Sequence, residues 1–337
     1  MNDTAKIHIV KAGESLTEIA GHYEMSADEI VTFHNFHCQA LGLRWFQNFV
    51  GMDRIAVPAR FKSKEQQKNE HLRNFPPRVF SRDFYAERFK VSEFFSTPEK
   101  EFEISYYLTL RFSKKENQNV VYISAGEFKK DGNDADDKMS SVAIASMKTA
   151  EPFGFYLDED GKLSALESPE IYHKRFSDGR SDLDEFFVGE IFEAYLNKFG
   201  ESLRNPEYVF RQFLQRFPYQ LLFPGMQVFH RHKPWQDSKV LADNSFPVRM
   251  DFEAVYQHED TEFAETDISG RIAEDISLLE ILRGVRFGEE PEEIANISYS
   301  INYKTEKEEK KLVSAEMKIE MKFEEEPYSS YRCTLSV

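Results

Sequence analysis

The chain has little with which to build several common classes of protein. Two cysteines in 337 residues, Cys38 and Cys333, cannot form a disulfide framework, and two free thiols suit a reducing compartment. No apolar run approaches the roughly 20 residues that span a bilayer. The opening stretch MNDTAKIHIV lacks the apolar centre of a signal peptide, so the expected location is the cytoplasm, or the outside of the cell by a non-standard route. Positive charge is also short. Lys and Arg number 43 against 59 Asp and Glu, a formal charge of −16. That balance argues against a nucleic-acid surface, which needs cations for phosphates, and against a surface that lies on anionic lipid.

Catalytic signatures are missing too. There is no His-Glu-x-x-His and no Gly-x-Ser-x-Gly. Cys333 has no histidine after it, and Gly126, Gly154 and Gly161 make no phosphate-cradling loop. Among 59 acids no glycosidase pair can be singled out. The reading is therefore a non-catalytic protein with no cofactor. His34, His37 and Cys38 are residue types that zinc accepts, but at a helix end a local structural role is the simpler account. His230-Arg231-His232 sets two imidazoles on one face of a strand; with no third ligand nearby and Lys233 adjacent, a surface pair is expected and no metal.

What is present is apolar bulk. The hydrophobic share of 41% and 31 phenylalanines exclude a disordered chain and point to a core of large flat side chains. The length accommodates two domains. In the first, Ile7–Val10 reads as a strand and Lys11-Ala12-Gly13 as a turn. Leu16, Ile19, Ala20 and Tyr23 then follow helical spacing, with Glu14 or Ser15 as the cap. A second helix begins at Ser26, uses Ile30, Val31 and Phe33, and ends near Asn35. A second strand, Arg54–Val57, stops at Pro58.

Strand, helix, helix and strand in this order, carried by VKAGESLTEIAGHYEMSADEIVTFHN and closed by VGMDRIAVP, resembles the LysM domain over residues 7–58. The resemblance implies a shallow groove for N-acetylglucosamine polymers such as peptidoglycan or chitin. Gly13, Glu14, Ser15 and Leu16 would line one side of it, and the segment FHCQALGLRWFQNFVG, ending at Gly51, the other. Two departures stand out: Glu14 replaces the family's usual aspartate, and the second loop is longer, adding Trp45, Phe46 and Phe49. Aromatic faces stack on sugar rings, yet an apolar cluster of this kind also suits a protein partner or a neighbouring domain.

Residues 1–59 thus form the module, and 60–78, polar and ending in Pro-Pro, reads as a linker with one or two helical turns. Beyond it, over 79–337, the period becomes two. Phe102 to Phe112, Phe246 to Tyr256, Ile297 to Tyr303 and Val313 to Phe323 each alternate apolar with polar, the pattern of antiparallel strands buried on one face. Asp160-Gly161 marks a hairpin, and YKTEKEEKKLV joins the last two strands. Between the strand blocks, residues 168–217 are helical, with one stripe of Leu183, Phe186, Phe187, Ile191, Ala194 and Tyr195. A second stripe of Val209, Phe210, Phe213, Leu214 and Phe217 follows the Asn205-Pro206 start, and Pro218 ends it. A short helix is expected near Ile276–Leu282. The acidic runs at 132–137 and 286–293 read as solvated loops, and Met317 and Met321 as core.

The fold class expected is α+β: a βααβ module followed by a large, curved antiparallel sheet with helices packed on one face. Three functions fit this sequence. The first is recognition of an N-acetylglucosamine-type glycan by the module. The second is an assembly adaptor of a phage-tail-like or secretion machine, with the module docking a protein. The third is a carrier of an apolar ligand in the sheet domain. The weak architectural likeness of that domain to lipoprotein-carrier cradles carries no function across.

Overall fold

In the first unit, strand β1 (Ala5–Ile9) leads to α1 (Leu16–His22) and α2 (Ala27–His37), and β2 (Arg54–Pro58) returns antiparallel to β1 with Ile9 opposite Arg54. A serine starts each helix. Ser15 accepts the Glu18 N–H while the Glu18 carboxylate accepts that of Ser15, and Ser26 with Glu29 repeats this capping box. Ile19, Ala20, Tyr23, Ile30, Ile55 and Val57 then form a small core. Helix α3 (Lys64–Asn74) replaces the one or two turns expected of the linker with eleven helical residues. The computed structural model describes residues 5–59, 64–242, 245–288, 291, 293–323 and 326–337, and separates into two compact units, Met1–Arg73 and Asn74–Val337. The expectations for 60–63 and for 289, 290 and 292 in the second acidic run lie outside the described residues.

The second unit opens with β3 (Arg88–Ser96), β4 (Glu101–Lys115) and β5 (Gln118–Lys130), with the two-residue strand β6 (Asn133–Asp134) on β5. Helix α4 (Lys138–Ala150) follows, capped by Asp137, and then the hairpin β7 (Phe153–Leu157) and β8 (Leu163–Leu166) around Asp160-Gly161. The helical region comprises α5 (Glu170–Asp178), α6 (Arg180–Phe186), α7 (Glu190–Leu203), α8 (Pro206–Gln215) and α9 (Phe217–Leu222). The chain then gives β9 (Trp235–Val240), β10 (Pro247–Gln257), β11 (Phe263–Ile272), α10 (Leu278–Arg283), β12 (Asn296–Glu306), β13 (Leu312–Phe323) and β14 (Glu326–Ser336).

All these strands join one antiparallel sheet in the order β8-β7-β5-β4-β3-β14-β13-β12-β11-β10-β9. Two meanders are therefore fused where β3 pairs β14, with Ser336 opposite Lys90 and Ser330 opposite Ser96. One face is buried: Phe89, Val91, Leu108 and Leu110 in the first meander, Val248, Met250, Met317 and Ile319 in the second. Burying each such side chain contributes about 1.5–3 kcal/mol. Helices pack on this face, as Phe213 of α8 against Phe155 of β7 and Phe217 of α9 against Tyr331 of β14, with ring centroids 4.8 and 4.6 Å apart. The polar face carries Lys318 and Glu320 outward. No helix among the described residues is long and apolar enough to cross a membrane.

Several local expectations change. The first helical stripe breaks at Gly189 between α6 and α7, leaving Phe186 and Ile191 exposed while Leu196, Gly200 and Leu203 are buried. Pro218 does not end a helix but sits in the first turn of α9, where its missing N–H costs no hydrogen bond. Register shifts near the ends of β13 bury Leu312 in place of Val313 and turn Phe323 outward. β14 follows what had read as the last strand, and α4 lies among the strands. Asn205 does cap α8 and Ser277 caps α10, and Met317 and Met321 are core.

Candidate functional site

The two loops of the module leave the strand pair together. Val10 N–H donates to Asp53 O at 2.9 Å just beyond the Ile9–Arg54 pair, so the turn after β1 and the segment before β2 emerge at one end. Gly13 and Gly51 occupy the left-handed region, φ +84° and +81°, where an L side chain would be strained. Glu14 is not a cap. Its carboxylate accepts Lys11 N–H at 2.9 Å and lies 3.1 Å from His8 Nε2, and these two contacts hold it below the usual carboxylate range. Ser15 is the cap, its hydroxyl oxygen accepting the Glu18 N–H at 3.2 Å. This loop is thus braced by its own side chains.

On the other side, α2 holds the segment in place. His34 accepts Ala56 N–H at Nδ1, 2.9 Å, and its Nε2–H faces Arg44 O at 2.7 Å. Both ring nitrogens are therefore committed to backbone, which gives His34 the structural role and leaves no lone pair for a metal. Asn35 Oδ1 accepts Phe46 N–H at 2.8 Å. Clamped on both sides, the segment puts Phe46 and Phe49 against the module's core together with Leu16, while Trp45 stays 63% exposed and Val50 89%. Of the aromatic residues expected at the site, only Trp45 presents a free face.

His230 is another departure. It lies in a 3-10 turn, buried rather than on a strand surface, with Nε2 2.8 Å from Pro76 O. Burial lowers its pKa, so the neutral ring donates to that carbonyl. No grouping of three or more His, Cys, Asp or Glu able to hold a metal occurs among the described residues. Cys38 and Cys333 are free and buried, and burial pushes the Cys333 thiol up, away from nucleophilic thiolate.

The second unit holds features that sequence reasoning missed. A cavity of about 520 Å³ lies between β4, β5, α4 and α9, and a second of about 330 Å³ beside it; Glu93, Gln212 and Arg216 line both. Glu93 occupies the inward face of β3, following Phe89 and Val91. It accepts Tyr106 Oη at 2.9 Å and Tyr331 Oη at 2.6 Å. A carboxylate at the third inward position of an apolar alternation was the available signal. No known protein family matches the chain, and no curated protein is similar to it.

Proposed function

We propose that the chain is a non-catalytic binding protein whose N-terminal module, similar to LysM, recognises an N-acetylglucosamine-type glycan. The observation that carries this reading is Trp45, 63% exposed on a segment that emerges at the same end of the strand pair as the Gly13–Leu16 turn. An indole offers a flat apolar face to the axial hydrogens of a sugar ring and a donor N–H at its edge. Backbone groups of the two braced loops would supply the remaining polar contacts without much ordering cost. The test is retention of the purified full chain on insoluble peptidoglycan, beside Trp45→Ala. Saturable binding that the variant loses supports the reading. Retention equal in both proteins, or absent in both, overturns it.

A second reading, protein docking within a tail-like or secretion assembly, has its own support. Phe36 and Val50, 81% and 89% exposed in the same unit, give more apolar surface than one sugar ring needs. It gains if peptidoglycan retains nothing while Phe36→Ser and Val50→Ser reduce self-association or capture by a co-purifying component.

A further inference from the structure

The larger cavity of the second unit is built by sequence, not left over from imperfect packing. Ser140, Ala143, Ile144 and Met147 of α4 recur at helical spacing and line it, while Val142, Ser146 and Ala150 on the helix's other side are buried in the core. Two of the four cavity-facing positions are small, in a chain that fills its core with phenylalanine elsewhere. Ala125 of β5 is small as well, whereas Phe128, Tyr106 and Tyr219 furnish flat apolar walls. About 520 Å³, open to solvent on one side, is the size of a small-molecule pocket.

The charges around it run against the whole protein. The chain carries −16, yet the cavity is lined by Lys129, Lys130 and Arg216 against one acid, Glu93. The oxygens of Glu93 already accept two tyrosine hydroxyls. Asp137 is close enough to Lys130 to be lowered by it, but that carboxylate is held first by Ser140, through its hydroxyl and its N–H at 2.9 Å. Lys129 and Lys130 line the cavity and are exposed, and Lys130 Nζ lies 5.9 Å from the Phe102 ring centroid. Long flexible stems let them reach a charge seated at the mouth.

We infer that this cavity binds a single-chain amphiphile with an anionic head, a medium-chain carboxylate. Its apolar tail lies among Phe128, Ile144, Met147 and Tyr219, and its head meets Lys129 and Lys130. This site is independent of the glycan reading of the first unit.

Calorimetric titration of the full chain with dodecanoate, at fixed ionic strength, tests the inference beside dodecyltrimethylammonium, which has the same tail and the opposite charge. The expected result is saturable binding of one dodecanoate, at least tenfold tighter than the cation. A Lys129→Glu, Lys130→Glu variant alters exposed residues only and should keep its Tm while losing about tenfold in dodecanoate affinity. Ala143→Phe, which puts a ring into the space taken by the tail, should abolish binding of both probes. Absence of saturable dodecanoate binding overturns the inference. So does equal or tighter binding of the cation, or an affinity unchanged by the charge-reversed pair.

Discussion

Tyr331 donates its hydroxyl to Glu93 Oε2 at 2.6 Å, across the seam where the first and last strands of the large sheet pair. Tyr106 donates to the other oxygen at 2.9 Å. Burial, with Cys333 and Glu93 nearby, pushes the Tyr331 phenol up, so it remains a donor at any physiological pH. Glu93→Leu would restore the apolar alternation of β3, yet it leaves two phenols without this acceptor. The expected loss of stability is about 2–4 kcal/mol, with Glu93→Gln, which keeps one acceptor, losing about half of that. Urea unfolding of both variants checks it; a Leu variant as stable as the parent would show that patterning outweighs the hydrogen bonds.

Gly225 presses on the tip of the β7–β8 hairpin. Its φ is +84°, and an added Cβ would collide with Asp160 Oδ2 and Lys162 Cε. Asp160 itself is fixed, since its carbonyl accepts Met226 N–H at 2.7 Å and Oδ1 accepts Gln227 N–H at 2.8 Å. Gly225→Ala should cost about 2–4 kcal/mol, from backbone strain plus the clash. An Asp160→Ala background removes the carboxylate clash and leaves the strain and the contact with the flexible end of Lys162, so a double-mutant cycle should show coupling.

Glu151 titrates in an unusual range. Burial pushes its carboxyl up to about 7, only partly offset by the Ala125 N–H it accepts at 2.9 Å and by Lys148. The folded state therefore holds this proton more tightly than the unfolded chain, whose value is near 4.5. Stability from this group is intact below about pH 4.5 and declines as pH rises to 7. Glu151→Gln keeps the acceptor and removes the charge. Thermal unfolding should find it about 1–2 kcal/mol more stable than the parent above pH 7, allowing for solvent access, and equal to it near pH 4.

Trp45 and Phe46 are neighbours with separable roles. Trp45→Ala should leave stability within about 0.5 kcal/mol of the parent, because its side chain is exposed. Phe46→Ala, which strips a ring from the module's core, should cost about 1–3 kcal/mol. Equal Tm losses for the two would mean that the indole is packed in solution, which would remove it as a free binding face.

Much of the local structure was written in short-range patterns. Glu14-Ser15 and Ser26 announced two helix starts, Asn205-Pro206 a third, and Asp160-Gly161 a hairpin, because each motif satisfies its backbone groups within a few residues. The long alternations of β4, β10, β12 and β13 declared a half-buried antiparallel sheet for the same reason: every second side chain meets the core whatever the partner strand is. β14 and α4 were hidden because their apolar patterns are short or broken: Tyr331, Cys333 and Leu335 alternate over only three positions, and Ser140, Ser141 and Ser146 interrupt the helical spacing of α4.

What lay between distant residues could not be read that way. That β3 and β14 meet to fuse two meanders, that His34 stitches α2 to both β2 and Arg44, and that Glu93 is shared by Tyr106 and Tyr331 are all pairings across long sequence separations. The linear pattern specifies which faces must be buried but not against which partner. Only the folded chain, by closing those separations, chooses the seam, commits the polar groups and leaves the cavity beside α4 open.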